Sequence, residues 1–162
     1  MIQYFPNILF SFILSFFVES RFEESDMKAY WQPPGYVFGI VWPILYLLFG
    51  YINYLSTLVF RSTKNNVILN QSYIEAYLQT AWLFVTSRGE SERSLNQYVL
   101  GLIILGISVG YAYLIRLPTF YFLARPLLYL YIPYMMWICF AFILNAQLVH
   151  KSLTSQIDTS GS

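Results

Sequence analysis

Soft and nucleophilic side chains are almost missing from this sequence, which holds one cysteine, Cys139, and one histidine, His150. A lone cysteine closes no disulfide within the chain. Because it lies in an apolar run, it carries no information on redox compartment. Metal centres and hydrolase triads need several such groups at set spacings, so neither is expected here. No Gly-rich phosphate loop occurs. Charge is scarce as well: nine bases and eight acids make up 10% of the chain and leave a net +1. So weak a field excludes the electrostatic footprint of a nucleic-acid binder.

What fills the space is apolar. The chain is 57% hydrophobic and 20% aromatic, far above an average soluble domain. Five apolar runs, at about 2–18, 36–60, 67–87, 95–115 and 126–149, predict an all-α integral membrane protein. The expected architecture is a five-transmembrane-helix bundle forming one domain over 1–149, with a polar, disordered tail at 150–162. The first run, Ile2 to Val18, spans about 25 Å as a helix. Its alternative is a cleaved signal peptide, but no basic residue precedes it and no small-residue cleavage site follows. The membrane is not named by the sequence. Neither is the orientation, since four basic residues (Arg61, Lys64, Arg116, Arg125) face five (Arg21, Lys28, Arg88, Arg93, Lys151) across the expected spans.

The second run is the most patterned. Pro33 and Pro34 suit a helix start, where a missing N–H costs nothing. Phe38, Trp42, Leu45 and Phe49 then form a bulky stripe, and Gly39, Tyr46, Gly50 and Asn53 a neighbouring small or polar one. In the third run Gln71, Glu75, Gln79 and Trp82 share a face; a carboxylate at membrane depth should look into the bundle or a polar opening. The fourth run carries Gly106 and Gly110 as a Gly-x-x-x-Gly pair, which suits packing within the chain or a homodimer. Residues 116–125 read as a loop, and Pro126 opens the fifth run, in which Pro133 should introduce a kink. Residues 19–35 are the longest connection, either a solvated connector or a lid.

Trp31-Gln-Pro-Pro-Gly-Tyr-Val-Phe-Gly-Ile-Val-Trp-Pro-Ile-Leu-Tyr46 resembles the signature of the translocator protein family, also called tryptophan-rich sensory proteins or peripheral benzodiazepine receptors. Ala81-Trp82 and Pro133-Tyr134-x-x-Trp137-x-x-Phe140-Ala141-x-x-Leu144-Asn145 extend the resemblance over most of residues 28–145. It implies a pocket between the helices, capped by the first loop, for a flat hydrophobic ligand. The chief ligand would be a tetrapyrrole such as protoporphyrin IX, with no cofactor required. The implied ligand-binding residues are Trp31, Pro34, Gly35, Phe38, Gly39, Trp42, Tyr46, Gln79, Trp82, Trp137, Phe140, Ala141 and Leu144. Two alternatives follow from the same resemblance: light-dependent porphyrin breakdown carried by Trp42 and Trp137, and carriage of porphyrin or sterol across the bilayer. The chain departs from the family pattern in three places. Lys28-Ala29-Tyr30-Trp31 lacks the usual proline, Gln79 replaces an asparagine, and Leu144-Asn145-Ala146 breaks the sterol motif, so tetrapyrrole is preferred to sterol.

Helix geometry adds one expectation of its own. Trp42 lies about six residues, or 9 Å, inside its span, and Trp137 about eleven residues, or 16 Å, inside a span entered from the opposite face. Across a core of about 30 Å the two rings should meet at nearly one depth.

Overall fold

The computed structural model describes residues 31–64, 66–86 and 95–160. All regular structure there is helical: α1 (Gly35–Thr63), α2 (Val67–Thr86), α3 (Leu95–Tyr111), a π-helical turn (Ala112–Arg116), α4 (Leu117–Leu123) and α5 (Arg125–Ser160). The expected first span at 2–18, residues 19–30 of the first loop and the turn at 88–93 lie outside the described residues.

Three stretches, Tyr36–Thr63, Leu95–Leu123 and Arg125–Ser155, are long and apolar enough to cross a membrane. Their surfaces agree with their lengths. In α1 the stripe Phe38, Trp42, Leu45, Phe49 and Ile52 is buried, while Ile40, Ile44, Leu47, Tyr51 and Leu58 stand exposed on the far side. A helix that is apolar on both its packed and its open faces is matched to hydrocarbon rather than to water. Ser56 and Ser108 on these helices bond back along the chain, to Ile52 O (2.7 Å) and Ile104 O (2.9 Å), so neither hydroxyl has to be met by lipid.

α2 is less apolar than α1 and α3, and it turns several of its polar residues inward. Ser72, Glu75 and Gln79 are all buried, Glu75 at 2% exposure, as the sequence pattern requires. α1 and α5 run antiparallel, with Phe38 against Trp137 and Phe49 against Tyr134. α3 packs on α2 and α5.

Two sequence expectations are corrected. Residues 116–125 are not a loop: the fourth span continues through the π turn into α4 and stops only at Ala124. The buried positions Ser108, Ala112, Arg116 and Phe120 recur every four residues. Each such step overshoots an α-helical turn by about 40°, and a wider i→i+5 turn absorbs the drift. That turn also precedes Pro118, whose ring would clash with the carbonyl four residues back in a regular helix. Second, the tail is polar but helical, because α5 runs on to Ser160 and its Lys, Ser, Thr and Gln residues contain no breaker before Gly161. α5 runs unbroken through Pro133, which omits a backbone donor without ending the helix.

Candidate functional site

Pro34 O accepts the N–H of Val37 at 3.0 Å, which starts α1 just after the two prolines. One turn on, Phe38 and Trp42 project into the bundle with exposures of 5% and 6%. Trp42 is the hub. Its ring lies 5.4 Å from Trp82 of α2, 6.2 Å and nearly perpendicular to Trp137 of α5, and 5.6 Å from Tyr46 in a stacked pair. Trp137 in turn contacts Phe38 (5.6 Å) and Phe140 (5.1 Å), and Trp31 meets the edge of Phe140 at 5.6 Å. Six aromatic side chains from three helices, with Trp31 at their margin, therefore form one continuous cluster. The shared depth read from helix rise is realised, since the Trp42 and Trp137 rings are in contact.

Gly101 of α3 permits this convergence. A Cβ there would stand 3.2 Å from Asn145 Nδ2 and 3.8 Å from Trp82 Nε1. The Gly106 and Gly110 pair behaves differently: Gly106 faces Phe142 of α5, and Gly110 has open space around it. Gly101 and Gly106 thus both face side chains of neighbouring helices at an internal seam, and Gly101 is the one that faces the candidate site.

Between Phe38, Trp42, Trp82, Ala141, Leu144, Asn145 and Leu148 lies a cavity of only about 20 Å³, room for about one water. Its walls are apolar, but they and the aromatic cluster around them hold unpartnered polar atoms. Trp82 Nε1, Trp137 Nε1, Asn145 Oδ1 and Tyr46 Oη are buried and find no hydrogen-bond partner among the described residues. Each such group costs on the order of 1–3 kcal/mol, a penalty that a ligand presenting matching acceptors and a donor would relieve.

The expected site residues divide clearly. Phe38, Trp42, Trp82, Ala141 and Leu144 line the cavity, with Trp137, Phe140 and Tyr46 packed in the same cluster. Trp31 and Pro34 are exposed, and Gly39 is half-buried beside the buried stripe. Gly35 forms the first residue of α1. Gln79 is placed elsewhere, its amide Nε2 donating to the Tyr134 hydroxyl. Asn145 and Leu148 line the cavity without having been among the expected contacts, although they continue the Ala141, Leu144 stripe by one helical turn.

Gln79 belongs to a second polar centre that the sequence pattern half revealed. Arg116 is fully buried, and its Nε lies 2.9 Å from Glu75 Oε2. Its Nη1 donates to Ile68 O (3.0 Å) and Gln71 Oε1 (3.4 Å), and Nη2 to Ser72 Oγ (3.0 Å). The guanidinium also sits 4.2 Å over the Phe120 ring, and the Tyr131 hydroxyl donates to Glu75 Oε1. A carboxylate held on both oxygens and a guanidinium with four hydrogen-bonding or ionic contacts make a satisfied pair that joins α2, the π turn and α5.

Among the described residues no group of three or more His, Cys, Asp or Glu could hold a metal ion. The aromatic cluster has no acid, base or nucleophile of its own. Its chemistry is that of flat polarisable walls with a few oriented donors and acceptors. Residues 5–150 match the model of the TspO/MBR family. No curated protein and no solved structure matches the chain.

Proposed function

The chain belongs to the TspO/MBR family and is an integral, multi-pass membrane protein. From that premise and the aromatic cluster we propose that it is a membrane receptor for flat hydrophobic ligands, most of all a tetrapyrrole such as protoporphyrin IX. One observation carries the reading: indole rings from three helices meet at Trp42, and the N–H groups of two of them, Trp82 and Trp137, are left without partners. A broad π face inserted between the rings gains stacking and apolar burial, while carbonyl or carboxylate oxygens at its edge satisfy the indole donors. The run at 2–18 supplies the fifth span of the bundle in this reading. The first loop covers the site from the side of Trp31, whose contact with Phe140 favours that placement.

Among the described residues the cavity inside the cluster is about 20 Å³, far below the roughly 300 Å³ at which ligand pockets begin, so in this reading a ligand seated there parts the rings. A second reading, light-dependent breakdown of the bound pigment, is favoured by the contact between Trp42 and Trp137 and the stacking of Trp42 on Tyr46, because all three rings are oxidisable. Titration of the purified protein with protoporphyrin IX in the dark, followed by tryptophan fluorescence, tests the first reading. Saturable quenching is expected; quenching that does not saturate would remove it. Illumination of the same complex tests the second, through loss of the pigment's visible absorbance that depends on the protein.

A further inference from the structure

On the outer face of the bundle, away from the tryptophans, the π turn and α4 meet the start of α5. Tyr113, Leu114, Leu117, Pro118, Tyr121, Phe122 and Leu128 line an open groove of about 520 Å³ there. The break at Ala124 (φ −158°, ψ 66°) reverses the chain in one residue and leaves the wedge between α4 and α5 unfilled. Leu114 and Phe122 are 71% and 78% exposed within a segment apolar enough to cross a membrane, so their surroundings are acyl chains. From Tyr113 to Tyr121 the groove runs about 12 Å along the helix, close to the depth of one leaflet of a core of about 30 Å.

The open end of the groove carries a charge. The exposed guanidinium of Arg125 stands 4.8 Å over the Tyr121 ring, pinned at the rim. The antiparallel packing of α1 on α5 puts Arg61 and Lys64 at this same end. The segments 59–70 and 117–129 hold Arg61, Lys64 and Arg125 and no carboxylate.

We propose that this groove binds one anionic phospholipid, an acyl chain lying along Leu114, Leu117 and Phe122 and the phosphate on Arg125. Aromatic rim, apolar floor and a planar cation at headgroup depth match the two chemical halves of such a lipid. A zwitterionic lipid offers the same phosphate, but its ammonium meets Arg61, Lys64 and Arg125 and no carboxylate in those two segments. A second copy of the chain docking face to face would set Arg125 against its own counterpart. The site is independent of the tetrapyrrole reading.

Native mass spectrometry of the detergent-purified protein, offered equal amounts of phosphatidylglycerol and phosphatidylcholine with the same acyl chains, tests it. The parent should retain a single phosphatidylglycerol in preference, and Arg125→Gln should lower that preference about fivefold, the effect of one basic residue near a membrane surface. The Arg61→Gln, Lys64→Gln pair should leave most of it, and Leu114→Ala with Phe122→Ala should lower occupancy by both lipids. Helical circular dichroism checks that each variant is folded. Equal retention of the two lipids by the parent, or an unchanged preference in Arg125→Gln, would overturn the site. So would an equal loss in the Arg61, Lys64 variant, which would mark diffuse surface attraction, or undiminished occupancy after the groove side chains are removed.

Discussion

Trp42 touches Trp82, Trp137 and Tyr46, so one side chain connects α1 to both neighbouring helices of the candidate site. Stacking on an indole contributes on the order of 1 kcal/mol beyond the area it buries, and phenylalanine keeps most of that area. Trp42→Phe and Trp137→Phe should each weaken protoporphyrin IX several-fold, measured by dark titration. Any light-driven loss of pigment should fall more steeply, since phenylalanine lacks indole's ease of oxidation. If bound pigment quenched the remaining tryptophans of the double variant as it does the parent's, the ligand would sit elsewhere. A second residue-scale expectation concerns the glycines. Gly101→Leu drives atoms into Asn145 and Trp82 and should lower both thermal stability and ligand affinity, whereas Gly110→Ala meets nothing within 4 Å and should be silent in both assays. Equal behaviour of the two would mean that α3 adjusts freely along its length. Of these residues the tryptophans were legible in the sequence, through their spacing and the family signature. Gly101 was not, because a glycine's role depends on what stands opposite it.

At the scale of elements, the π turn and α2 form a unit around Arg116 and Glu75. Removing one partner strands the other in a nonpolar interior, at a cost of about 3–5 kcal/mol, whereas replacing both with apolar groups is far milder. Arg116→Met should therefore lower the unfolding midpoint in detergent sharply, and the double variant with Glu75→Leu should recover most of the loss. A single variant as stable as the parent would show that the pair does not hold these helices together. A further consequence lies in the π turn's extra residue. Deleting Leu114 should restore a regular helix and rotate Arg116 and Phe120 by about 100°, out of the core, with a comparable loss of stability. Glu75's inward direction was readable from the Gln71, Glu75, Gln79, Trp82 stripe. Its partner was not, because Arg116 sits beside a proline in a sequence that reads as a loop, and only the packing of 112, 116 and 120 on one face reveals the wider turn.

For the whole molecule, the size of the interior space sets the kinetics of binding. Where the rings must part before a flat ligand enters, association is limited by that opening and not by encounter. Stopped-flow quenching should then give an observed rate that levels off as protoporphyrin IX rises, and saturating ligand should raise the unfolding midpoint by mass action. A rate strictly proportional to ligand up to high concentration would mean that an open site already exists. The exposed apolar belt of α1, α3 and α5 requires detergent or bilayer in every such experiment.

The membrane class, the helical content, the inward face of α2 and the meeting of Trp42 with Trp137 were determined by the sequence alone. Each follows from period or from length, since 3.6 residues per turn and 1.5 Å per residue fix which side chains share a face and a depth. The scarcity of cysteine and histidine speaks against metal and hydrolytic sites on composition alone. Tertiary structure decided the rest: that Arg116 is buried while Arg125 is exposed, that Gln79 bonds Tyr134 while Asn145 lines the cavity, and that Gly101 faces Asn145 and Trp82. Those are matters of what stands opposite. A partner on another helix leaves no periodic trace in the residue it meets, and a charge reads the same in sequence whether water or a carboxylate will face it.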